Sequence, residues 1–390
     1  MSSFFNELTD DINKGREGGN RGIPVFGVGL DKLSRHLAGI QPARYDLIGS
    51  NTGTGKTAFV DIFYVIGPLL WLYNNPTKEF DYNIIYNSLE ISRARKLAKL
   101  SCLLLYLIHG LIVDWKELLS YNSDGEVLSD KIFDKVKELE PIMDFLESKI
   151  TFLDGFVNPT RIHVICKQRG LKHGEVKYRT REVGSPWISG EAPRNEAGHI
   201  QEGYIQKYFR KDPNCKVITQ VITDHIGLLS PEHESKESKV LLTNKKLIDK
   251  HSRYRIYDRD TYEISSVDVS QFNREISDMN RRRFEELTPQ LEDFKETGSP
   301  TENADTVFAL INPERYNIKK YKDFDITKIP KRFRALFILK DRNGADMITS
   351  PLRFIGECGH FCELPSAEYI RDNNLYFKII DLRNKTLEDI

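Results

Sequence analysis

Ser50-Asn51-Thr52-Gly53-Thr54-Gly55-Lys56-Thr57 stands between a short apolar run, Tyr45–Ile48, and a long apolar stretch, Ala58–Tyr73. These residue types at this spacing suit a triphosphate. Glycines let the backbone turn its N–H groups inward, and a helix starting at the loop adds a partial positive charge. Lys56 would reach the β- and γ-phosphates, and the Thr57 hydroxyl would help to hold Mg²⁺. The pattern departs in one place. The usual first glycine, at the position six before the lysine, is Ser50, and Gly49 falls one place too early. A glycine-rich turn with an incidental lysine has the same composition, but the flanking strand and helix favour a phosphate loop. The expected ligand is a nucleoside triphosphate, ATP above all, with Mg²⁺.

Binding alone needs nothing more; hydrolysis needs an acid that holds the metal and a group that orients water. Asp224 ends the apolar run Lys216–Thr223, where a metal-side aspartate is expected. Glu90, in Ser88-Leu89-Glu90-Ile91-Ser92, directly follows the run Tyr82–Ser88. In a doubly wound sheet the carboxyl ends of parallel strands gather on one edge, so Lys56, Glu90 and Asp224 can converge although far apart in sequence. Glu90 is also consistent with an acid that simply favours a helix N-terminus.

The elements that must position these groups read as follows. Ala58–Tyr73 is a buried helix with Pro68 as its kink or stop. Tyr82–Ser88 is a strand, and a helix follows from about Arg93. Residues 114–150 have helical spacing, with a strand at Lys149–Phe152. The stretch Gly170–Gly203 has no clear period and reads as an irregular excursion. Ser235–Ser252 is a polar helix, Ser265–Gln271 a strand, and Ala335–Lys340 and Leu352–Ile355 a late strand pair. Strands alternating with helices imply a mainly parallel sheet with helices on both faces.

Composition bounds the rest. The chain has 390 residues, with 57 Lys and Arg against 57 Asp and Glu, so there is no general basic coat for nucleic acid, though a local basic loop is allowed. The five cysteines are too few and scattered for a disulfide framework. Cys358-Gly-His360-Phe-Cys362 offers three ligands where structural zinc takes four, so a hairpin is the better reading. The run Leu100–Val113 is short against the roughly 20 residues of a membrane span and reads as a buried helix. The tyrosines and arginines of His251–Tyr262 could stack on bases, but a half-buried strand leading towards Ser265 is the better reading. A soluble, intracellular protein with no membrane partner is expected.

The order of motifs resembles the DnaB-type replicative helicases, whose ATPase domain is RecA-like. Gly22-Ile23-Pro24, Leu30–Leu33 and the turn from Leu37 to Pro42 look like that family's lead-in. Ser88–Ser92 looks like its catalytic-glutamate motif and Val221–Leu229 like its metal-aspartate strand, with His225 where Tyr is frequent. Ser270-Gln271-Phe272-Asn273-Arg274 matches its γ-phosphate sensor, Asp293–Asp305 the segment that follows, and Lys340-Asp341-Arg342-Asn343-Gly344 the motif that reaches a neighbouring subunit. The family tolerates a small residue such as Ser50 at the first loop position.

The resemblance runs from about residue 22 to about 362. It implies an α/β fold of the RecA-like P-loop NTPase kind: a polar arm or linker at 1–21, then one ATPase domain over 22–390. It also implies a homo-oligomeric, hexameric ring moving on single-stranded DNA. Lys56, Thr57, Glu90, Asp224 and Gln271 would act in cis, and Lys340 and Arg342 in trans on a neighbour's γ-phosphate. Arg342 is the better finger because a planar guanidinium spreads charge over the transferring phosphoryl. Asp-Arg-Asn-Gly is equally a turn sequence. Arg281, Arg282 and Arg283 are candidates for gripping DNA phosphates, and a solvated helix face reads the same way. Lys167, Arg169 and Lys172 form a second basic candidate. With no room before Gly22 for a separate helical domain, primase and loader are expected to be other proteins. A phage-encoded member in the host cytoplasm is the expectation. The alternatives are a RecA-like ATPase without unwinding, such as a recombinase or packaging-type motor, and a nucleotide-binding assembly protein.

Overall fold

The computed structural model describes residues 22–381 apart from 122–124, 126, 154, 156, 183, 197–198, 213, 232–239, 274–275, 277–286, 296–297 and 345–346, together with isolated residues before 22. Among these, fourteen strands form in chain order: β1 (Tyr45–Ser50), β2 (Phe80–Ser88), β3 (Ile150–Phe152), β4 (Gly174–Thr180), β5 (Ile188–Ser189), β6 (Tyr204–Arg210), β7 (Lys216–Asp224), β8 (Ser265–Gln271), β9 (Thr306–Ile311), β10 (Lys320–Tyr321), β11 (Phe324–Asp325), β12 (Phe333–Asp341), β13 (Ile348–Ile355) and β14 (His360–Glu363). Nine of them make one sheet in the order β14-β13-β12-β9-β1-β8-β7-β2-β3. The neighbours from β9 through β3 pair parallel; β12, β13 and β14 extend the sheet antiparallel. The fold is the expected α/β one of the RecA-like kind, with a large, mostly parallel sheet flanked by helices.

The central strands are β-branched and apolar because both faces are covered. Along β1, Ile48 points into one core with Phe59, Phe63 and Leu104, and Leu47 into the other with Ile162, Ile248 and Ile264. The first core is closed by α1 (Asp31–His36), α2 (Lys56–Asn74) and α3 (Arg93–Leu104), the second by α4 (Pro159–His173) and α5 (Val240–Tyr262). Helix α2 is long and apolar enough to cross a membrane, but it is the buried helix behind the phosphate loop, 67% of that window lying inside the molecule.

Several expectations need correction. Pro68 neither stops nor ends α2: a π-helical turn, Asp61–Ile66, precedes it and the helix runs on to Asn74. A proline cannot donate to the carbonyl four residues back, and the Tyr82 hydroxyl donates to the Tyr64 oxygen instead, at 2.7 Å. The stretch 170–203 is regular over 170–180 and at Ile188–Ser189, and largely irregular between. It holds the end of α4 and most of a three-stranded antiparallel sheet in the order β5-β4-β6, reaching to Arg210. His251–Tyr262 is helical, the second half of α5, not a strand. Strand β9 had no counterpart in the sequence reading, while β14 forms the second arm of the hairpin expected at Cys358–Cys362. Residues 235–239 of the expected polar helix lie outside the described residues, as does most of the 1–21 arm.

Candidate functional site

Parallel register brings four strand ends together. Ser50 pairs with Gln271, Asp224 with Val269, and Ser88 with Asp224. The phosphate loop leaves β1 at Ser50, which is fully buried against the sheet end; a small residue is what that position accepts. Gly53 and Gly55 have φ of +77° and +106°, a region that favours glycine. A Cβ on Gly55 would also stand 3.0 Å from the rings of Phe354 and Phe361, so the loop's back is pressed on aromatics. Lys56 opens α2, is 5% exposed, and has no hydrogen-bond or ion-pair partner among the described residues.

Lys56, Thr57, Glu90 and Asp224 line one cavity of about 410 Å³. Glu90 is placed by its backbone: the Leu89 N–H donates to the Asp224 carbonyl at 2.8 Å, and the Ser88 hydroxyl donates to the Ile91 carbonyl at 2.7 Å. Asp224 is 1% exposed, yet neither carboxylate oxygen accepts a hydrogen bond among the described residues. A buried carboxylate without a hydrogen bond is costly, and oxygen ligands of this kind suit Mg²⁺. Together with the Thr57 hydroxyl on the same cavity, the donor set fits a magnesium ion. Gln271 joins from β8, its Nε2 donating to the Thr52 hydroxyl at 3.2 Å.

Three residues absent from the sequence reading sit beside Asp224. Lys96 of α3 is fully buried; its Nζ donates to both Asp61 oxygens, at 3.1 and 3.0 Å, and to the Tyr86 hydroxyl at 2.7 Å. The same ammonium is 4.0 Å from Asp224, within ion-pair range but too long for a hydrogen bond. Burial pushes the Asp61 carboxyl up, opposed by Lys96 and assisted by Asp224. A single carboxylate inside the apolar run Ala58–Leu70 was the signal for Asp61. Other groups grip the loop from outside: Arg315 Nη1 bonds the Thr52 carbonyl, Asn51 meets the Tyr316 hydroxyl, and Arg334 Nε donates to the Thr54 carbonyl at 2.8 Å.

Lys340 and Arg342 lie elsewhere. β12 runs antiparallel to β9, so its end at Asp341 pairs with Thr306, at the edge opposite the phosphate loop. Lys340 Nζ donates to the Thr301 and Glu302 carbonyls at 3.0 and 2.6 Å. Burial lowers its pKa, and Arg342 lowers it further. Arg342 meets Asp305 at 3.1 Å and the Glu302 carbonyl at 3.0 Å. The segment Arg342–Gly344 is a turn between β12 and β13, in keeping with its sequence. Arg281, Arg282 and Arg283, and Arg274 of the sensor motif, lie outside the described residues. Of the second basic group, Lys167 pairs with Glu191 at 3.0 Å and Arg169 bonds Thr151 at 2.9 Å. Cys358 and Cys362 are buried free thiols at the β13–β14 hairpin, and no cluster of three or more His, Cys, Asp or Glu side chains that could hold a metal occurs among the described residues.

Comparison with known proteins bears on the family and the fold. Residues 195–363 match the family described as DnaB-like helicase C terminal domain, so the resemblance to these helicases is borne out over that part of the chain. The fold is similar to a solved structure described as an ATPase domain, with a TM-score of 0.60 and 17% identity, over 94% of this chain and 100% of that one. It is also similar to "The Structure Of A DnaB-Like Replicative Helicase And Its Interactions With Primase", with a TM-score of 0.59 and 18% identity, over 94% of this chain and 68% of that one. No curated protein sequence matches the chain.

Proposed function

We propose, on the premise that residues 195–363 are those of a DnaB-like helicase C-terminal domain, that the chain is an ATP-dependent replicative DNA helicase. It works as a homo-oligomeric, hexameric ring that moves on single-stranded DNA. The observation that carries this reading is the cavity joining Lys56, Thr57 and Glu90 to an Asp224 whose carboxylate oxygens accept no hydrogen bond among the described residues.

In this reading the loop Ser50–Thr57 receives the phosphates, and Lys56 offsets their charge from a nearly dry position. Thr57 and Asp224 would hold Mg²⁺, which when bound would neutralise charge on the phosphate oxygens. Glu90, exposed at the cavity wall, orients a water and takes its proton. Gln271 reports the state of the γ-phosphate through its contact with Thr52. Arg342, with Lys340, reaches a neighbouring subunit's nucleotide by exchanging Asp305 and the Glu302 carbonyl for phosphate oxygens. Arg281, Arg282 and Arg283 grip the DNA backbone, where three cations would give binding a steep salt dependence. Primase and loader are separate partners, and the site of action is the host cytoplasm of a phage-encoded enzyme.

Strand displacement on forked DNA, with ATP and a Lys56→Ala control, tests the reading. Displacement that requires ATP and is lost with Lys56→Ala is the expected result. Hydrolysis without displacement would instead assign a RecA-like ATPase that does not unwind.

A further inference from the structure

The chain buries an arginine beside the phosphate loop without giving it an acid. Arg334, on β12, is 5% exposed, and no carboxylate lies within ion-pair range among the described residues. Its Nε donates to the Thr54 carbonyl at 2.8 Å, and Nη1 donates to the carbonyls of Phe333 at 2.7 Å and Lys331 at 3.2 Å. The guanidinium carbon stands 4.8 Å from the centre of the Phe354 ring. Phe354 stacks on Phe361 at 4.4 Å, and both rings press on Gly55. Burial lowers the Arg334 pKa to about 10, so it keeps its charge at neutral pH. A lone buried cation is an expensive way to fill a core when an apolar side chain of similar volume would pack as well.

What this arginine touches is a peptide group with a job. In a planar trans peptide the C=O and the next N–H point in opposite directions. Drawing the Thr54 oxygen outwards to Arg334 therefore turns the Gly55 N–H inwards. Arg315 does the same one peptide earlier: its bond to the Thr52 oxygen turns the Gly53 N–H inwards. Neither glycine N–H donates to another atom among the described residues. Both are the kind of donor that cradles phosphate oxygens.

We infer that Arg334, seconded by Arg315, is a positioning residue that aims the Gly55 and Gly53 N–H groups at the nucleotide's phosphates. The inference rests on the phosphate-loop reading of Ser50–Thr57. It holds the loop in its binding form before any ligand arrives, so its effect falls on affinity more than on chemistry.

The test compares Arg334→Met, Arg334→Lys and Arg315→Met with the unaltered full-length chain. Steady-state ATPase gives KM and kcat, calorimetry gives binding of inorganic triphosphate with Mg²⁺, and thermal melts without ligand check the fold. Arg334→Met should raise KM and weaken triphosphate binding by about 10- to 100-fold, the worth of a lost charge-assisted hydrogen bond, with kcat little changed. Arg334→Lys should recover part of that loss, and Arg315→Met should show a smaller one. Should Arg334→Met not fold, the other two variants read the same quantity. A lower melting temperature with unchanged KM and triphosphate affinity would overturn the inference. Lys56→Ala separates the two readings. If it binds triphosphate as well as the parent does, the phosphate-loop reading itself fails. If it loses binding while the arginine variants keep theirs, only the positioning role fails.

Discussion

The two edges of the parallel sheet treat charge in opposite ways. At the edge where β1, β2, β7 and β8 end, Lys96 and Asp61 pair, but Lys56 and the Asp224 oxygens are buried without hydrogen-bond partners among the described residues, and Glu90 stands exposed beside them. At the edge where the parallel strands begin, charges meet. Arg44 pairs with Asp341 at 2.7 Å, and Arg259 and Arg342 share Asp305 at 2.8 and 3.1 Å. Groups left idle inside a protein cost free energy, so a fold keeps them where a ligand will complete them. Paired groups are already complete and must change partners to do anything else. The trans role proposed for Arg342 thus carries a cost that the cavity residues do not share.

That contrast can be broken most decisively at Arg342. If it serves a neighbour's nucleotide, Arg342→Ala should lower steady-state ATPase by about 10³–10⁵, as for other arginine fingers. If it only pairs with Asp305, ATPase should survive and stability should fall by less than about 1 kcal/mol, as for an exposed pair. Glu90→Gln comes next: hydrolysis should drop by about 10²–10⁴ while nucleotide binding, measured by titration, is kept. Unaltered hydrolysis would return Glu90 to the role of a helix-terminal acid. Lys96→Met probes the completed ion pair at the cavity edge. Leaving Asp61 uncompensated should cost about 3–5 kcal/mol in denaturant unfolding, and adding Asp61→Asn should recover much of it. Equal losses in the single and double variants would show that the pair is not what is being measured.

The smallest effect concerns Glu191, where β5 meets α4 and α5. Burial alone would raise this carboxyl, but hydrogen bonds from Tyr257, Tyr262 and Lys167 hold it at about 2, against an ordinary 4.5. A carboxyl depressed by folding stabilises above its unfolded pKa and loses that contribution as pH falls through the folded one. Stability should therefore decline between about pH 5 and pH 2 more steeply in the parent than in Glu191→Gln. The group is partly solvated, so the difference should be modest. Parallel curves would remove Glu191 from the account.

The sequence reading located β1, β2 and β7 because each is a largely β-branched or apolar run that ends on or beside a residue with chemistry. β9, Thr306–Ile311, is as apolar but ends at Ile311, and the Asn312 that follows does nothing to mark it. The 174–210 sheet looked irregular because long polar and aromatic side chains stand on both its faces, so no period of two survives. α5 was misread for a related reason. His251, Arg255, Asp258 and Tyr262 are buried at spacings of one helical turn, but all four are ionisable. Their burial makes sense only once His251 is seen to bond Asp268 at 3.0 Å and Arg255 to bond Asp258 at 3.0 Å.

Residue types and local spacing alone determined that Ser50–Thr57 is a turn into a helix with a lysine at its start, because glycine conformations and helix N-termini are local properties. They also determined that acids follow two of the apolar strands. Which charges are idle and which are spent was decided only by tertiary structure. Arg334 faces Thr54 and Lys340 faces Thr301 because β12 crosses the sheet from one edge to the other, and a partner brought together through space leaves no trace in the spacing of either residue.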